Sequence, residues 1–184
     1  MAAWCDSCFG SAAGRVNFFG VRGALETGLY YVSSTIMNVV AGFGGSVLGL
    51  MMPVLSGMVD GRKRACWRAI KVSLALVSPL AFVLAAYPEV PLSLLGKEYV
   101  DAAPTLMLLA LTIPATLISA GVSSLVYAYG MYTSVLILGL VGNLSRVVAY
   151  APFSLLMGNV GVALSYALGA FAALAAAILV SRGF

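Results

Sequence analysis

The chain has 184 residues, 62% hydrophobic and only 9% charged, where soluble domains carry about 45–50% apolar residues and about a quarter charged. Ten basic and six acidic side chains, at a mean hydropathy of +1.05, cannot furnish the polar surface a globule needs in water. The absence of histidine and the few carboxylates leave little material for a hydrolase, a metalloenzyme or an acid–base catalyst. The expectation is a non-enzymatic membrane protein with no cofactor and no metal.

Residues 1–26 are ambiguous. Trp4, Phe9, Val16, Phe18 and Phe19 are apolar, but Asp6, Arg15, Asn17 and Arg22 interrupt them. This segment reads as a degenerate or truncated first helix followed by an outer loop. Cys5 and Cys8 have a CxxC spacing, but no second pair and no histidine completes a metal site,. No basic region precedes the apolar stretch, and position 2 is Ala2, so neither a cleaved leader nor a myristoyl anchor is expected.

Beyond this segment the chain reads as an all-α integral membrane bundle. Charge-free runs of 33, 17, 44 and 35 residues lie between Glu26 and Asp60, Lys71 and Glu89, Asp101 and Arg146, and Arg146 and Arg182. A bilayer crossing takes about 20 apolar helical residues. The first run predicts one helix over 28–58 and the second one helix over 71–95. The longer runs divide at Tyr129-Gly130-Met131-Tyr132 and Gly158-Asn159-Val160-Gly161, predicting helices over 102–128, 132–157 and 162–180. Continuous apolar runs such as 106–111 speak against a β-barrel, whose strands alternate.

The connections carry an orientation. Segment 60–71 holds Arg62, Lys63, Arg64, Arg68 and Lys71 against Asp60, whereas 89–101 holds Glu89, Glu98 and Asp101 against Lys97. The positive-inside rule places loop 60–71 and the C-terminus in the cytoplasm, with the remaining turns alternating consistently. The same rule accounts for the net charge of +4. No basic stripe interleaved with aromatics suggests nucleic acid. Cys66 falls in the basic loop and reads as a bystander.

Gly45-x-x-x-Gly49, with Gly42 and Gly44, gives the first long helix a smooth face for a close neighbour. Pro79, Pro114 and Pro152 mark places where three other helices can bend. Arg146 is the most informative residue, because it sits near the middle of its predicted helix. A central arginine costs about 2.5–3.5 kcal/mol on insertion scales and so calls for a partner, a polar cavity or a ligand. Glu26, Glu89, Glu98 and Asp101 all sit toward predicted span ends, so no acidic residue lies near mid-membrane to pair with it. Two readings stay open: Arg146 lines a polar cavity that receives an anionic group, or it bonds carbonyls freed by Pro152. Asn143, three residues earlier on the same face, and Asn38 are candidate substrate-binding neighbours. Tyr127, Tyr129, Tyr132 and Tyr150 fit an aromatic belt or the core. The lack of membrane carboxylates also leaves no ion-coupling site in these spans.

Several short pieces carry a resemblance. The stretch Leu94-Leu95-Gly96-Lys97-Glu98-Tyr99-Val100-Asp101-Ala102-Ala103-Pro104-Thr105-Leu106 resembles the outer loop and following helix of polysaccharide flippases. These are the oligosaccharide-lipid transporters of the multidrug/oligosaccharidyl-lipid/polysaccharide exporter superfamily. Glu26-Thr27-Gly28-Leu29-Tyr30-Tyr31-Val32, Pro53-Val54-Leu55-Ser56, Pro79-Leu80, Ala128-Tyr129-Gly130, Gly142-Asn143 and Gly158-Asn159-Val160-Gly161-Val162-Ala163 are similar to further pieces of that family's C-terminal lobe, in its order. The resemblance implies one lobe of a two-lobe transporter that flips lipid-linked oligosaccharide or polysaccharide precursors by alternating access. It also implies that an N-terminal lobe or a second chain completes the cavity. Its partners are then the bilayer and an anionic lipid-linked glycan, and Arg146 suits the pyrophosphate because guanidinium forks match phosphate oxygens. The alternatives are a multidrug exporter of the same superfamily and a non-transporting membrane subunit of a glycan-assembly complex.

Overall fold

The computed structural model describes residues 24–58 and 60–182. The segment read as a degenerate first helix, with Cys5 and Cys8, lies outside the described residues apart from its last three positions, which already belong to a helix. Among the described residues every regular element is helical: α1 (Ala24–Gly57), α2 (Arg62–Ala86), α3 (Glu89–Leu95), a 3-10 turn over Lys97–Ala102, α4 (Ala103–Ala128) and α5 (Tyr132–Arg182). Five stretches are long and apolar enough to cross a membrane: Thr27–Gly57, Arg62–Ala86, Lys97–Ala128, Tyr132–Ser154 and Met157–Ser181. This makes the chain a helical membrane protein by length and composition.

Two boundaries differ from the sequence expectation. The second helix begins at Arg62 and ends at Ala86, instead of running over 71–95. Its basic residues are helical, and Pro88 forces the preceding Tyr87 off helical geometry (φ −130°, ψ 61°),. The chain then re-forms a short α3, and Gly96, at φ 145° and ψ 150°, makes the corner into the 3-10 turn with a backbone that only glycine adopts freely. The last two helices, expected over 132–157 and 162–180, meet at a kink concentrated in one residue, Gly158 (φ 58°, ψ −131°).

α5 is therefore a hairpin of two limbs, and its internal contacts are symmetrical about Gly158. Ser165 Oγ donates to the Ala149 carbonyl at 3.0 Å, and a Cβ on Gly142 would stand 3.1 Å from that of Ala173. A Cβ on Gly161 would overlap the Phe153 carbonyl oxygen, so the limbs touch right up to the corner.

α4 is the central helix, packing against α1, α2 and both limbs of α5. Over half of its apolar window is buried (56%), against 17–33% in the other four. Leu106, Leu109, Ile113 and Val126 are almost fully enclosed. Lipid offers no hydrophobic drive for helix association, so close backbone approach at small residues carries much of the packing. Gly44 of α1 admits Leu117, Val77 and Ser73, whose hydroxyl donates to the Gly44 carbonyl at 2.9 Å. Gly121 of α4 lies directly under Ile70, and Cys66 Sγ donates to the Gly121 carbonyl at 3.3 Å. Cys66 is thus part of the α2–α4 contact rather than a loop bystander. The smooth face expected at Gly45 and Gly49 meets nothing within 4 Å, and neither does Gly42; among the described residues only Gly44 of that cluster is a packing glycine.

One end of the bundle collects the basic residues. Arg62 donates to the Ala128 carbonyl at 3.0 Å and lies 5.5 Å from the Tyr129 ring centre, and Lys63 Nζ donates to the Ser181 carbonyl at 3.3 Å. The C-terminal ends of α4 and α5, where the helix dipoles are negative, are capped from the start of α2. The segment around 60–64, the 129–131 turn and the end of α5 therefore share one end.

The contrast between glycines is testable by thermal unfolding of the purified chain in detergent. Gly121→Ala is expected to destabilise by about 1–3 kcal/mol through overpacking against Ile70. Gly49→Ala, in open space, is expected to be neutral or to stabilise by up to about 1 kcal/mol through helix propensity.

Candidate functional site

Arg146 sits on the first limb of α5, about 21 Å along the axis from Tyr132 and about 18 Å from Gly158 at 1.5 Å per residue,. This is mid-depth for a membrane crossing. Its Cζ lies 4.2 Å from the centre of the Tyr166 ring on the second limb, a cation–π distance,. A Cβ on Gly169, one turn beyond Tyr166, would collide with Arg146 Cγ and stand within 3 Å of Nε and Cδ. The arginine stem thus lies in a slot that exists because residue 169 has no side chain.

Arg146 Nε is buried and has no hydrogen-bond partner. Among the described residues no carboxylate answers the charge, because their acidic side chains lie at or beyond the ends of the apolar stretches. Nε therefore makes no bond to a carbonyl near Pro152.

The residue lines a cleft of about 140 Å³ between α4 and the two limbs of α5. Asn143 lines it too, as do Thr116, Ser119 and Ser123 from one face of α4. Each of these three hydroxyls donates to a carbonyl of its own helix, at 2.8–2.9 Å. Their protons are engaged, and their oxygen lone pairs keep the wall polar. A cation, an amide and three hydroxyls converge in a span whose outer surface is Leu136, Ile137, Leu140, Leu144, Val147 and Val148.

A second polar group adjoins this one. Tyr30, almost fully buried in α1, shares a hydroxyl–hydroxyl hydrogen bond of 3.3 Å with Tyr150, and Tyr166 and Arg146 lie within electrostatic reach of it. Tyr150 accordingly belongs to the core. Tyr127 and Tyr132 stack edge-on at 5.2 Å at the basic end, beside Tyr129, where interfacial aromatics are expected.

Of the three residues expected from sequence, Arg146 and Asn143 share the cleft and Asn38 does not. Asn38 is exposed on α1, in line with Gly42, Gly45 and Gly49 at alternating spacings of four and three residues, on a face open within the described chain. Tyr166, Gly169 and the α4 hydroxyls were not anticipated. Their signal is the run of small residues at every fourth position, Gly161, Ser165, Gly169, Ala173 and Ala177, which forms one ridge along the second limb.

No family model matches the chain, and neither any curated protein nor any solved structure matches it.

The cost of the uncompensated charge can be measured. Arg146→Leu regains about 2.5–3.5 kcal/mol of insertion cost and forfeits about 0.5–2 kcal/mol of cation–π contact. The variant is expected to be more stable than the wild type by roughly 0.5–3 kcal/mol in a detergent-denaturation titration. A loss of stability instead would make Arg146 a structural residue.

Proposed function

We propose that the chain is a transporter lobe that handles lipid-linked anionic glycan precursors, with Arg146 and Asn143 receiving the phosphate-bearing linkage. The observation that carries this reading is Arg146 itself: a mid-depth guanidinium whose Nε is buried without a hydrogen-bond partner, lining a polar cleft with Asn143. An uncompensated charge in a membrane is costly to keep, and a phosphate oxyanion is the ligand that a guanidinium fork satisfies best. The order of the flippase-like sequence pieces supports the same reading.

In this reading the basic end of the bundle is cytoplasmic by the positive-inside rule, the protein is multi-pass in the cell membrane, and no chemistry is catalysed. Asn38 and the open glycine face of α1 belong to the side on which an N-terminal lobe or a second chain closes the central cavity. The hinge-like backbone at Gly158 supplies a place where the α5 limbs can yield during alternating access. A multidrug exporter is disfavoured, because cationic cargo calls for a membrane carboxylate and none lies in the interior of these spans, Glu98 and Asp101 sitting at the start of one. A non-transporting subunit draws support from the tight Gly142–Ala173 approach, but leaves the Arg146 cleft without a purpose.

Binding of a polyprenyl-pyrophosphate oligosaccharide to the chain in lipid nanodiscs, followed by native mass spectrometry, tests the assignment. Arg146→Gln is expected to weaken binding by roughly tenfold to a hundredfold, the worth of a charge-assisted hydrogen bond to phosphate. Equal affinity of variant and wild type would refute it.

A further inference from the structure

We propose that Tyr166 and Gly169 are positioning residues that seat Arg146 to receive a phosphate-type oxyanion. The inference rests on the reading of Arg146 as an anion-binding residue and adds which residues hold it.

The guanidinium has two neighbours on the second limb. The Tyr166 ring lies under Cζ at 4.2 Å, and the slot at Gly169 takes the stem, since a Cβ there would collide with Cγ. Positions 166 and 169 are three residues apart and so share one helix face. The limbs are held together on either side of the arginine, by Ser165 donating to the Ala149 carbonyl at 3.0 Å and by the near contact of Gly142 with Ala173. An arginine side chain ordinarily spends much of its rotamer freedom on binding. Here the stem is confined beforehand, so the cost of ordering it is met by folding rather than by the ligand.

The cleft that Arg146 and Asn143 line is where the oxyanion is received, the guanidinium and the amide being the groups that can donate to it. The anion can come from a lipid headgroup or from free phosphate; the chemistry recognised is the same.

The test uses the full chain in nanodiscs of neutral lipid, titrated with inorganic phosphate and, separately, with a polyprenyl monophosphate, both followed by phosphorus NMR. Binding to the wild type is expected to weaken about two- to fivefold in Tyr166→Leu and to be kept in Tyr166→Phe, which preserves the ring face. Gly169→Ala is expected to weaken it at least tenfold. A double-mutant cycle in thermal unfolding separates seating from packing. Gly169→Ala should lower Tm in the wild type and leave it unchanged in an Arg146→Ala background, where no stem occupies the slot. An equal fall in both backgrounds, or phosphate binding indifferent to both Tyr166→Leu and Gly169→Ala, overturns the proposal. So does a wild type that binds neither probe. Binding of inorganic phosphate through the seat, with no binding of the polyprenyl phosphate, upholds the seat and sinks the lipid-linked reading of the function.

Discussion

Close backbone approach at small residues is the constraint on which this bundle depends. In lipid, side chains gain little by leaving their surroundings, so helices associate where van der Waals contact and interhelical hydrogen bonds are available. Gly44 lets α1 meet α2 and α4, with the Ser73 hydroxyl bridging to its carbonyl. Gly121 lets α2 settle on α4 beneath Ile70 and Cys66. The ridge from Gly161 to Ala177 lets the second limb of α5 fold against the first after the reversal at Gly158. α4, touched from all sides, buries the largest share of its surface as a consequence.

The candidate site follows from the same constraint. A small-residue ridge brings two limbs close enough that a long side chain between them must lie in a slot, and Gly169 provides it for Arg146. Tyr166, one turn away, then offers its ring face to the guanidinium. Folding thereby places an ordered cation at mid-depth beside an amide and a line of hydroxyls, with no carboxylate among the described residues that line the cleft. A structure stabilised only for packing would fill that position with leucine, and the proposed function accounts for the charge as one kept for a ligand.

The opposite use of charge occurs at the basic end. Arg62 and Lys63 are spent on the carbonyls that end α4 and α5, where a cation near a helix C-terminus is favourable. One group of basic residues therefore ties three helix ends together, whereas the Nε of Arg146 has no hydrogen-bond partner.

Composition and the lengths of the charge-free runs determined by themselves that this is an α-helical membrane protein with five long apolar spans, because backbone groups in lipid must be satisfied within each segment. The sequence also marked Arg146, since an ionisable residue deep in an apolar run is conspicuous wherever it folds, and Asn143, which shares its helix face. Only the tertiary structure decided which small residues touch. Gly44 and Gly45 are neighbours in sequence, yet one is packed and the other open, because one step along a helix turns a residue about a quarter of the way around it. The same geometry left Asn38 facing outward and brought Tyr166 and Gly169 across the hairpin to Arg146. Contacts between limbs depend on where the chain reverses, and a single glycine dihedral at Gly158, invisible in composition or hydropathy, sets that register.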